Sequence, residues 1–131
     1  MEHKLFEVNQ NAVIRNSEGG ILILKNVGKW MLPGGRLEEG ETWLEGLQRE
    51  VKEETGIEKF IVVKILNANT SSSGKTYIVT FLCEVESVPE VKLSNEHQEY
   101  VWLDLRNIDR YEFTNGKVKE VLDYFLQKYS I

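Results

Sequence analysis

The chain has 131 residues, 41% of them apolar, which is enough for one compact domain over residues 1–131 with a core of its own and leaves no room for a second. A formal net charge of −5 argues against a nucleic acid or a membrane surface as the main partner, because such partners call for a basic patch. The one cysteine, Cys83, has no internal partner for a disulfide, and its neighbours Phe81, Leu82 and Val85 mark it as a buried thiol acting as a small apolar group.

The opening residues, MEHKLFEVNQ, hold neither an apolar signal core nor an Arg-rich amphipathic pattern, and no later run is long enough to span a bilayer, so a cytoplasmic location is expected. Strands are predicted at residues 6–15 and 21–24, joined through the turn formers Asn16-Ser17-Glu18-Gly19-Gly20. In WMLPGG, which follows, Pro33, Gly34 and Gly35 signal a turn or a close approach of backbone. Trp30 is expected to pack on the start of the next helix. Thr42 with Glu45 three residues on forms a capping box, so that helix should begin there.

At about 100° per residue, Leu44, Leu47 and Val51 share one narrow face of this helix, while Glu50, Glu53 and Glu54 fall together on an adjoining arc. The apolar stripe must dock on a sheet, which leaves three carboxylates side by side at its rim, where like charges repel. A divalent cation would remove that penalty. Carboxylates with backbone and water oxygens suit a hard octahedral ion, Mg²⁺ or Mn²⁺, better than zinc. Gly46 lies one turn before Glu50 and costs the helix about 1 kcal/mol against alanine; the expectation is that it leaves room for a phosphate or a water bound to the ion. Arg49 can reach Glu53 one turn on, an ordinary helix pair worth about 0.3 kcal/mol.

Further along, residues 60–67 and 76–85 are apolar, β-branched runs around Thr70-Ser71-Ser72-Ser73-Gly74 and should pair as a long hairpin. Their apolar residues lie on both faces, as in a sheet buried between helices. Residues 87–98 are polar and include Pro89, which predicts a loop leading to a strand at 99–103. Val118, Val121, Leu122, Phe125, Leu126 and Tyr129 then sit at helical spacing after Thr114 and Asn115. Together these elements predict an α/β protein, an α/β/α sandwich with a central mixed sheet.

Residues 35–57, GRLEEGETWLEGLQREVKEETGI, fit G-x5-E-x7-R-E-U-x-E-E-x-G-U, where U is apolar. The fixed positions are Gly35, Glu41, Arg49, Glu50, Glu53, Glu54 and Gly56, with Val51 and Ile57 in the apolar places. Chance supplies such a match about once in 10⁹ windows. The stretch resembles the box of the Nudix (MutT-like) hydrolases. Residues 93–103, LSNEHQEYVWL, are similar to the corresponding stretch of the family's asymmetric diadenosine tetraphosphate hydrolases.

The resemblance implies the Nudix fold and hydrolysis of a nucleoside diphosphate linked to another moiety X, by attack of water at phosphorus with Mg²⁺ or Mn²⁺ present. It implies the Gly35 carbonyl as a metal ligand beside Glu50 and Glu54, with Glu53 as a further ligand or the base and Arg49 orienting the carboxylates. A loop glutamate should complete the site; Glu96 is the first choice and Glu99 the second. Glu41 is read as supporting the site or binding a second ion through water. Tyr77 lies where those hydrolases carry a tyrosine that stacks on a base. Lone His97 reads as a surface histidine, and His3 has no role. The expected partner is a small-molecule nucleotide, a dinucleoside polyphosphate or a modified nucleoside triphosphate first, with ADP-ribose, nucleotide sugars or the 5′ end of RNA as alternatives. A nucleotide-sensing module that binds without cleaving is the reading from another class. Dimers are common in the family, and the 60–85 hairpin offers an edge for a homodimer.

Overall fold

A computed structural model describes residues 2–129, without the side chain of residue 129. The strands are β1 (Glu7–Arg15), β2 (Ile21–Asn26), β3 (Lys29–Met31), β4 (Gly34–Arg36), β5 (Ile61–Thr70), β6 (Thr76–Glu84) and β7 (Glu99–Leu103). Helix α1 spans Trp43–Thr55, a short 3-10 helix Leu105–Arg110, and α2 Gly116–Tyr129. The sheet runs β3-β2-β1-β6-β5, with β4 paired to β1 and β7 to β2. It is mixed because β1 runs parallel to β6, with Val8 opposite Tyr77 and Ile14 opposite Cys83, while the other pairs are antiparallel.

Successive residues of a strand face opposite ways, so β1 and β2, apolar on both faces, feed two cores. Ala12, Ile14, Leu22 and Leu24 meet Leu47 and Val51 of α1, together with Phe81 and Cys83. Val13, Ile21 and Ile23 meet Leu122 and Phe125 of α2, together with Leu82 and Leu103. Leu47 and Leu122 have no exposed surface, a burial worth about 1.5–3 kcal/mol for each. The predicted α/β/α sandwich is the observed one, with Cys83 buried in it.

Two local expectations are corrected. Trp30 belongs to the α2-side core, edge-to-face on Tyr111 at 5.2 Å, and Trp43 is the tryptophan at the start of α1, stacked on Phe81 at 5.1 Å. The hairpin of β5 and β6 forms as predicted, but β5 is the sheet's edge, and Ile61, Val63 and Ile65 stand 46–62% exposed. Register shifts at Val62/Lys64 and Ile65/Asn67 break its alternation, so one apolar run faces both ways without being buried. No described helix is long and apolar enough to cross a membrane.

Candidate active site

Helix α1 is fixed at both ends before it carries any chemistry. Thr42 accepts from the Glu45 N–H at 3.2 Å while the Glu45 carboxylate accepts from the Thr42 N–H at 2.9 Å, the reciprocal box read from the sequence. Gly56 ends the helix in a left-handed conformation, its N–H donating to the Lys52 carbonyl. With Leu47 and Val51 against the sheet, the carboxylate arc is set at the rim beside β4.

Two glycines of β4 allow a close approach, Gly34 to β1 and Gly35 to the helix. At Gly34, with φ +155°, a Cβ would run into the Gln10 carbonyl and Asn11. At Gly35 it would stand 2.5 Å from the Glu50 carboxyl group, so the Gly35 backbone and Glu50 are already in contact. The Gly34 N–H donates to Glu54 Oε1 at 2.7 Å.

Arg49 ties the acids together. Its Nε and Nη2 grip Glu41 at 2.6 and 3.0 Å, Nη1 lies 2.7 Å from Glu50 Oε1 and 3.4 Å from Glu53 Oε2, and Nη2 also donates to the Arg36 carbonyl. The pairing with Glu53 expected from helical spacing is thus longer than those to Glu41 and Glu50, with the 3.9 Å approach to Glu38 longer still. Hydrogen bonds to Glu41 and then Glu50 hold the Arg49 guanidinium above its ordinary range, and the same bond to Arg49 holds the Glu41 carboxyl below the usual carboxylate value.

The other acids are pushed the opposite way. Burial raises Glu50, with Arg49 opposing and the Glu53 and Glu96 charges adding to the rise. Burial also raises Glu54, against the hydrogen bonds from His97 and Gly34. Glu50 shares Arg49 with Glu41, so the two acids that burial raises, Glu50 and Glu54, are desolvated without a full countercharge. Oxygen donors in that condition fit a divalent cation, and Gly35, Glu50, Glu53, Glu54 and Glu96 are the residues that could hold one.

Of the two loop glutamates, Glu96 comes to the site. Its carboxylate, that of Glu54 and a ring nitrogen of His97 lie within 4.8 Å of one another. Glu99 instead pairs with Lys25 at 3.1 Å on the outer part of β2. Tyr77, on β6, is 39% exposed with its ring edge-to-face on Phe6, and no described contact joins it to the carboxylates.

The structure overturns two readings. His97 is no surface residue: its side chain is 1% exposed, with Nε2 3.0 Å from Glu54 Oε2. Only its place next to Glu96 hinted at this, since a polar loop gives no sign of which side chain turns inward. Gly46 leaves no empty space, because a Cβ there would stand 2.6 Å from Leu37 Cδ1 and 3.2 Å from Gln10 and Glu41 oxygens. Its small size serves packing under the helix.

A mixed sheet thus lies between two helices, with a glutamate-rich helix against a double-glycine strand at its rim. A family model, the NUDIX domain, matches residues 5–125. The chain belongs to the Nudix family. It is 39% identical over 83 residues to the asymmetrical bis(5′-nucleosyl)-tetraphosphatase of Rattus norvegicus, covering 58% of this chain and 56% of that one. It is 33% identical over 98 residues to the nucleoside triphosphatase NudI of Escherichia coli, covering 65% and 68%. The crystal structure of a MutT protein from Methanosarcina mazei Go1 overlays on the whole of both chains with a TM-score of 0.80 at 29% identity. The matches span between 15% and 68% of the length of such curated relatives.

Proposed function

We propose that the chain, as a single domain over residues 1–131, is a Mg²⁺- or Mn²⁺-dependent pyrophosphohydrolase. Its substrates are nucleoside diphosphates linked to a further moiety X, with dinucleoside polyphosphates and modified nucleoside triphosphates foremost. The observation that carries this reading is Glu54, a buried carboxylate held by the Gly34 N–H and by His97 and standing beside Glu50 and Glu96. A buried acid cluster with one shared arginine costs stability as it stands, and a divalent cation offsets that cost.

In this reading Gly35, Glu50, Glu53 and Glu54 hold the ion, which when bound supplies Lewis acidity and positive charge toward the phosphate oxygens. Arg49 keeps Glu41, Glu50 and Glu53 in place through its fork of donors. Glu53 and Glu96 are the exposed members of the set, and one of them takes the proton as water attacks phosphorus in line. The new P–O bond forms as the anhydride P–O bond breaks, and the leaving phosphate carries the electron pair. Exposed Tyr77 is assigned to the base, which it would meet by its ring face. The names of the rat and E. coli relatives, a tetraphosphatase and a triphosphatase, support this substrate class.

The test is incubation with diadenosine tetraphosphate, 8-oxo-dGTP, ADP-ribose and nucleotide sugars, with Mg²⁺ or Mn²⁺, and identification of the products. Cleavage of one class that stops with EDTA is expected. Saturable nucleotide binding without any product would turn the reading to a sensing module.

A further inference from the structure

The loop before β7 is polar, yet it buries one histidine completely. Burying an imidazole removes its hydration, and here a single contact answers for that: Nε2 at 3.0 Å from Glu54 Oε2. Among the described residues Nδ1 is buried with no partner, as is the hydroxyl of Ser94, whose carbonyl accepts from the His97 N–H at 3.2 Å. The next residue anchors elsewhere, with the Gln98 N–H on the Lys25 carbonyl and Gln98 Oε1 taking the Val27 N–H, both on the β2–β3 hairpin. His97 therefore ties the loop to α1, while Gln98 ties it to the sheet.

Glu54 is bracketed in consequence. One oxygen takes the Gly34 N–H at 2.7 Å from β4, and the other faces His97 from the loop. Two donors from separate segments leave the carboxylate little rotational freedom. Glu96 is exposed where His97 is buried, so the inward turn of one sends the other outward, into reach of Glu54. With Nε2 engaged by Glu54 and Nδ1 enclosed, the imidazole stands behind the carboxylate.

We infer that His97 is a positioning residue: its Nε2–H holds Glu54 in the orientation that binds the ion and docks the loop so that Glu96 completes the site. This rests on the metal-site reading given above. An outer partner of this kind sets ligand geometry without touching the ion, and its loss typically weakens metal affinity by about 10–100-fold.

The experiment measures Mn²⁺ binding to the purified chain by the EPR signal of free Mn²⁺, for wild type, His97→Gln and His97→Leu, with thermal melting of each metal-free protein. Glutamine places an N–H donor near the position of Nε2, and leucine fills the space without one. Mn²⁺ affinity at least about tenfold weaker in His97→Leu and within about threefold of wild type in His97→Gln is expected. Equal loss in both variants would make the imidazole itself a ligand and overturn the inference, and so would no loss in either. Should His97→Leu not fold, the Nε2 proton of wild-type His97 is followed by NMR as Mg²⁺ is added. Its persistence at saturation supports the positioning role, and its disappearance ends it. A wild-type chain that binds no divalent ion would sink the functional reading and this inference together, an outcome distinct from binding that ignores His97.

Discussion

Helices α1 and α2 are nearly equal in length and cover opposite faces of one sheet, yet they are built on different terms. Among its fully packed side chains α2 presents Val121, Leu122 and Phe125, all apolar. Helix α1 packs Leu47 and Val51 and, beside them, Gly46 and Glu54. A buried glycine and a buried acid both oppose helix stability. The second helix is thus a packing element, whereas the first accepts a local penalty to bring carboxylates against the glycine backbone of β4.

The sharpest test of that contrast is Glu54→Gln. Turnover should fall on the order of 10³-fold, as for removal of several kcal/mol of electrostatic help, with the circular dichroism spectrum unchanged. A variant that keeps its turnover would dismiss the assigned site. Leu122→Ala should do the reverse, costing about 2–5 kcal/mol in urea unfolding while turnover per folded molecule stays the same. Gly46→Leu comes next, with about 1–3 kcal/mol lost to overpacking against Leu37; a variant as stable as wild type but inactive would restore the idea that the glycine makes room for ligand. The smallest effect is one of pH. Burial raises Glu50 and Glu54, so the folded chain binds protons the unfolded one releases. Their stability is fully present below the unfolded carboxylate value of about 4.3 and is lost as pH rises through the raised folded value. Metal-free wild type should therefore lose melting temperature relative to Glu54→Gln as pH rises above the unfolded carboxylate value, and a parallel pair of curves would refute the raised Glu54.

Much of α1 was legible in advance because its signals are local. Thr42 and Glu45 cap within one turn, and the box spacing places Glu50, Glu53 and Glu54 on one arc. Glu96 over Glu99 was readable from its resemblance alone, and the Lys25–Glu99 pair that draws the other acid away is a cross-strand contact. What stayed hidden depends on tertiary docking. The apolar run at Ile61 to Ile65 looks like a buried strand, but its place at the edge of the sheet is decided by which strands pair with β1. Trp30 and Trp43 flank the same turn, and only the packing of α2 and the Tyr111 segment claims the first of them. His97 lies in a loop with no periodicity, so nothing along the chain distinguishes the side that turns inward.

The parallel ladder between β1 and β6 has a consequence for how the chain acquires its shape. Val8 faces Tyr77 and Arg15 faces Glu84, so one side of the central strand waits for residues far downstream. Closing so long a loop costs entropy before any contact repays it. During synthesis the capped helix can form early, but the face it docks on is unfinished until β6 emerges, and the Glu96 loop follows later still. The candidate site is thus assembled well after its best-marked sequence has left the ribosome.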